Sequence, residues 1–179
     1  MEADWEIEIG GEAPVIDAEW SGFVDLRADP ARVVELIESR QLPTLARTLI
    51  KLNAPPSLMW TSKTDVFEPE NIDPYEVDGT REDVKSALSC YIDLLARDQR
   101  WRKHSEVELE CRRICDRLHG IKLRRCRVDL VIRRAHLRAQ EVGFGLTAYL
   151  TGCGKDMDSA KGRLSECLEA LAGVLVAEE

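Results

Sequence analysis

The sequence predicts an α+β fold of two layers: a mainly antiparallel sheet of about five strands with amphipathic helices on one face. Three observations point there. Several segments alternate apolar and polar residues with a period of two, as half-buried strands do. Short turn clusters join consecutive strands, which favours antiparallel pairing. The helical segments each show one apolar stripe, so a single layer of helices can cover one face of the sheet. All 179 residues are expected to form one domain, long enough to bury roughly 70% of the surface of the unfolded chain.

At the start, "WEIEIGG" sends Trp5, Ile7 and Ile9 to one side and Glu6 and Glu8 to the other. "DAEWSGFVDLR" does the same with Ala18, Trp20, Val24 and Leu26 against Glu19, Ser21, Asp25 and Arg27. The turn cluster "GGEAP" lies between them, and the pair reads as a β-hairpin. Asp29 as N-cap and Pro30 at the first helical position open a helix, Pro43 breaks or restarts it, and "NAPP" at 53–56 ends it. "SLMWTSKTDVF" reads as a third strand. An acidic, proline-containing loop follows over 68–79.

Thr80 with Asp83 resembles a capping box, and Val84, Ala87, Leu88, Tyr91 and Leu95 follow at helical spacing. Ser105 with Glu108 repeats the device ahead of Val107, Cys111, Ile114, Cys115 and Leu118, and Gly120 reads as the glycine that closes this helix. Cys126, Val128, Leu130 and Ile132 then alternate with Arg127, Asp129, Val131 and Arg133. Val142, Phe144, Leu146, Ala148 and Leu150 alternate in the next strand. A last helix from about Asp156 carries Ala160, Leu164, Cys167, Leu168, Leu171, Val174 and Leu175 on one stripe. The predicted order is ββα-β-αα-ββα.

The net charge is -8, unevenly spread. Residues 97–138 hold 14 Lys and Arg against 6 Asp and Glu, whereas the rest holds 11 against 27. An acidic chain is a poor general binder of nucleic acid, because that affinity scales with the phosphates neutralised. Trp101 between Arg100, Arg102 and Lys103 is read as a packing residue instead of a base-stacking one. The acidic start lacks the features of a signal peptide, and no apolar run approaches the ~20 residues of a membrane span. A cytoplasmic protein is expected, its six cysteines kept as thiols.

The segment "RRCRVDLVIRRAHLR" at 124–138, with six arginines, is the first candidate site. Its plainer reading is a charge ladder on the wet face of the sheet, with Glu19 and Asp25 opposite Arg125, Arg127 and Arg133. The functional reading makes Arg125, Arg127 and Arg133, with Thr147, Tyr149 and Lys155 nearby, a site for a small anionic ligand or an acidic protein segment. Arginine suits that role through its planar, bidentate fork. Gly143 and Gly145 on the neighbouring strand would leave a shallow groove there.

Cys153 in "TGCGKD" is the candidate nucleophile or redox thiol, because a helix N-terminus and Lys155 would lower its pKa. The plainer reading is a glycine turn. Cys111, Cys115 and His119 at i, i+4 and i+8 span about 12 Å and cannot share one metal ion. A site built from Cys111 and Cys115 with Cys126 is the weaker alternative, buried packing thiols are the plainer reading, and no metal site and no cofactor are assigned. The leading function is a non-catalytic binding or interaction module, with a small thiol enzyme built on Cys153 as the alternative. Exposed edge strands permit a homodimer without requiring one.

Overall fold

The structure is a computed structural model that describes residues 1–98 and 100–176. Six strands form one sheet: β1 (Glu2–Ile7), β2 (Ile16–Ala18), β3 (Met59–Phe67), β4 (Ser86–Ala96), β5 (Cys126–Leu137) and β6 (Gln140–Gly154). The helices are α1 (Ile37–Gln41), α2 (Pro43–Asn53), α3 (His104–His119) and α4 (Met157–Val176), with 3-10 turns at Pro30–Glu35 and Pro74–Val77. The sheet order is β1-β5-β6-β4-β3, and β2 also pairs with β5. The α+β architecture with a mostly antiparallel sheet is as the sequence predicts.

Two elements differ from expectation. The first two strands do not form a hairpin: β1 and β2 run parallel to β5 and lie one after the other along its edge. The expected strand 17–27 keeps only its first residues, since the chain turns at Glu19 and Gly22, both with positive φ. The expected helix over 84–95 is the strand β4, with Thr80 and Asp83 forming a turn before it. Leu88, Cys90, Ile92 and Leu94 face the helices, and Ser89, Tyr91, Asp93 and Leu95 face away. Leu95 is apolar because it belongs to a second small core with Ile16, Ala18, Trp60 and Ala135. Apolar residues on both faces blur the period of two, and part of the run then fits a helical stripe.

The main core lies between the sheet and the helices. It joins Leu45, Leu49 and Leu52 of α2, Val107, Cys111, Ile114 and Leu118 of α3, and Leu164, Cys167, Leu168 and Leu171 of α4 to the inner face of β4, β5 and β6. Asp29 caps the 3-10 turn by accepting from Ala31 N, the role assigned to it from sequence. Gly120 ends α3 but keeps a right-handed conformation, φ -68°. Trp101 is buried in the main core, as a packing residue should be.

The outer face is concave at one end. There β2, on the β5 edge, reaches β3 on the opposite edge: the Ser62 hydroxyl donates to Asp17 O, and Lys63 pairs with Asp17 at 3.6 Å. Ile16 fills the curl. Arg138 and Ala139, φ 51° and 63°, make the tight β5–β6 turn, a left-handed pair that suits the twist of a hairpin.

Candidate functional site

Paired positions in neighbouring strands share a face. The register sets Asp4 against Asp129 and Glu6 against Val131, so β1 turns its acids to the outer side, beside Arg127, Asp129 and Arg133. β6 adds Thr147, Tyr149 and Thr151, β4 adds Ser89, Tyr91 and Asp93, and β3 adds Phe67. Between them runs an open groove of about 590 Å³. Among the described residues its lining sets Asp4, Glu6, Glu8 and Asp129 against two cations, Arg127 and Arg133.

Both arginines are matched within the groove. Arg133 grips Glu8, with Nη2 at 2.6 Å and Nε at 3.1 Å from Oε2, while its Nη1 donates to the Tyr149 hydroxyl at 3.1 Å and to Thr147 Oγ1 at 3.3 Å. Arg127 holds Asp129 at 2.8 Å and reaches Glu76 at 3.5 Å. Glu19 and Asp25, the partners expected from sequence, instead pair with Arg27, at 2.7 Å each. Glu19 also holds Arg138, just past β5, at 2.8 Å, but β2, which leads into Glu19, pairs with β5 only at Ala135–Leu137, clear of Arg127 and Arg133. Asp4 and Glu6 have no cationic partner within 4.0 Å among the described residues.

The polar row continues inward. Thr147, expected on the wet side, is fully buried, and its hydroxyl donates to Asp93 Oδ1 at 2.6 Å. Asp93 is only 5% exposed. Burial pushes its carboxyl up to about 6, against the Thr147 hydroxyl and the Arg133 charge, which both pull it down. Sequence reading missed Asp93. Its signal was a lone acid inside the apolar run "YIDLL", masked when that run was read as helix.

The remaining predicted residues sit elsewhere. Arg125 precedes β5 at φ 61° and, with Lys122, Arg124 and Arg163, lines a separate polar hollow against Asp78 and Asp83. Lys155 is exposed beyond β6, 4.0 Å from Asp83. The structure therefore brings together Arg127, Arg133, Thr147 and Tyr149, and sets Arg125 and Lys155 apart. Gly143 and Gly145 leave no groove: the Trp101 backbone fills the space at the first and Ile16 the space at the second.

Cys153 lies within β6, where the sequence suggested a loop, and is fully buried. Burial pushes its thiol up to about 11, opposite to the shift that activates a nucleophile, and Arg125 offsets this only in part. Burial likewise pushes Cys111 up to about 12 and Cys115 up to about 11, and raises Cys90. All six cysteines are free and buried. A thiol reagent near neutral pH is expected to label the native chain slowly at every site and all six thiols at once on denaturation. Rapid labelling of Cys153 alone would contradict its burial.

Among the described residues no group of three or more His, Cys, Asp or Glu side chains could hold a metal ion, and no helix is long and apolar enough to cross a membrane. Comparison of the chain with protein-family models, with curated proteins and with solved structures gives no significant match.

Proposed function

We propose that the protein is a binding module whose concave sheet groove receives a basic polypeptide segment. The observation that carries this is the charge balance: each guanidinium in the groove already holds a carboxylate, whereas Asp4 and Glu6 stand unmatched in the same wall. An acidic segment or anionic ligand, the partner first suggested by the arginine count, would have to displace Glu8 or Asp129 and then approach Asp4 and Glu6. A lysine- or arginine-bearing segment needs no exchange. The groove is within the size of ordinary ligand sites, and Phe67 and Tyr149 offer apolar contact for side-chain stems. Six free thiols suit a reducing compartment, which supports a cytoplasmic location.

The test is fluorescence anisotropy with labelled lysine-rich and glutamate-rich peptides of equal length. The lysine-rich peptide is expected to bind, and to weaken as salt rises. Asp4→Asn with Glu6→Gln should weaken it roughly 2- to 30-fold, since each exposed pair is worth about 0.2–1 kcal/mol. Glu12→Gln, outside the groove, should leave it unchanged. Preference for the glutamate-rich peptide would overturn the reading.

A further inference from the structure

At the end of the sheet where β4 stops and β6 begins lies a second, smaller cavity of about 90 Å³, separate from the groove. Trp60, Leu95, Trp101, Val142 and Phe144 give it apolar walls. Two guanidiniums reach it, and they differ. Arg27 lies over the Trp60 ring, 3.8 Å from its centroid, and its charge is matched by Asp25 and Glu19. Arg97 has no carboxylate partner among the described residues.

Arg97 follows β4, and its Nη2 donates to Asn53 O and, at 3.0 Å, to Ala54 O at the end of α2. Those carbonyls orient the guanidinium but carry no net charge. Its Nε is buried without an acceptor among the described residues. Burial and the Arg27 charge act against its own positive charge, and the Asp25 carboxylate, already held by Arg27, offsets them only in part. A buried N–H without a partner is costly, and so is an unmatched charge beside apolar walls. Nε itself is closed to the cavity, whereas Arg97 Nη1 is neither buried nor paired among the described residues, and a carboxylate oxygen there would match the charge.

We infer that this cavity is a binding site for a small monocarboxylate, its carboxyl group on Arg97 and its aliphatic tail among the tryptophans. The size limits the tail: an engineered apolar cavity of about 150 Å³ admits benzene, so 90 Å³ suits a short straight or branched chain. The walls disfavour a dicarboxylate or phosphate, whose further charge would lose water without gaining a partner. The cavity is built firmly. Trp101 O accepts the Phe144 N–H at 2.8 Å, and Gly143, φ 124°, permits this approach because a Cβ there would lie 2.4 Å from Trp101 O.

Titration of the full chain with butyrate, isobutyrate and succinate tests this, read by tryptophan fluorescence and by the Arg97 Nε–H resonance. Butyrate or isobutyrate is expected to give a saturable change in both signals, and succinate a response at least about tenfold weaker, the loss that goes with an unpaired charged group. Val142→Phe, which fills the cavity from β6 without touching Arg97, should abolish the change while circular dichroism shows the fold intact. Arg97→Lys, which keeps the charge but loses the planar fork, should weaken binding about tenfold. No response to either monocarboxylate, equal binding of succinate, or an unaltered response in folded Val142→Phe would each overturn the inference. None of these outcomes bears on the groove, whose residues lie elsewhere.

Discussion

Replacing Gly152 with alanine is expected to destabilise the fold by about 3 kcal/mol, at the upper end of ordinary overpacking. The new Cβ would stand 2.1 Å from Leu164 N and 2.6 Å from Ala160 O. Both are backbone atoms of α4, so relief requires the whole helix to lift from β6, and with it the contacts of Leu164, Cys167 and Leu168. Gly154 is held the same way, 2.7 Å from Ala160 N. Gly173 on the exposed side of the same helix has nothing within 4 Å of an added Cβ. Gly173→Ala should therefore stabilise by about 1 kcal/mol, the helix-propensity difference. Urea midpoints of the two variants should move in opposite directions with m unchanged. A Gly152→Ala midpoint equal to the parent's would contradict the close approach of α4 to β6.

Asp93→Asn is expected to stabilise the protein above pH 6 and to change its pH dependence. The folded carboxyl titrates at about 6, raised from 3.8 mainly by burial. Between those values the folded chain keeps a proton that the unfolded chain has released, so stability falls as pH rises. The stabilisation linked to protonated Asp93 is fully present below the unfolded value and is lost by about pH 6. Two pH units correspond to about 3 kcal/mol. Asparagine keeps an oxygen to accept the Thr147 hydroxyl without a charge to desolvate. The gain of Asp93→Asn over the parent should grow from near zero below pH 4 to about 3 kcal/mol at neutral pH. A gain that is flat with pH would show that Asp93 does not titrate in this range.

The strands and helices with a single buried face were legible from local pattern. α3, β5 and α4 each show an apolar face in their local pattern, and Cys111, Cys115, Cys126 and Cys167 fall into the core on that account. β4 was not legible, because its outer face meets the small core at Leu95 and so lost its polar alternation. Nor was the parallel docking of β1 and β2, since adjacency in sequence favours a hairpin while the actual partner, β5, lies more than a hundred residues away. That one change of neighbour decides the chemistry of the candidate site. It brings Glu8 to Arg133 and sets Asp4 beside Asp129 and Glu6 beside Val131, so an arginine-rich strand becomes part of an acidic groove. The glycines around Cys153, readable as a turn for a reactive thiol, are the seat of α4.

Hydrogen–deuterium exchange with and without the lysine-rich peptide tests the central claim most directly, because it locates the bound segment as well as detecting it. Protection confined to residues 2–8, 65–69, 127–133 and 147–151 is the predicted result. Protection centred on 78–83 and 122–125, or on the helical face, would place any partner outside the groove and contradict the account.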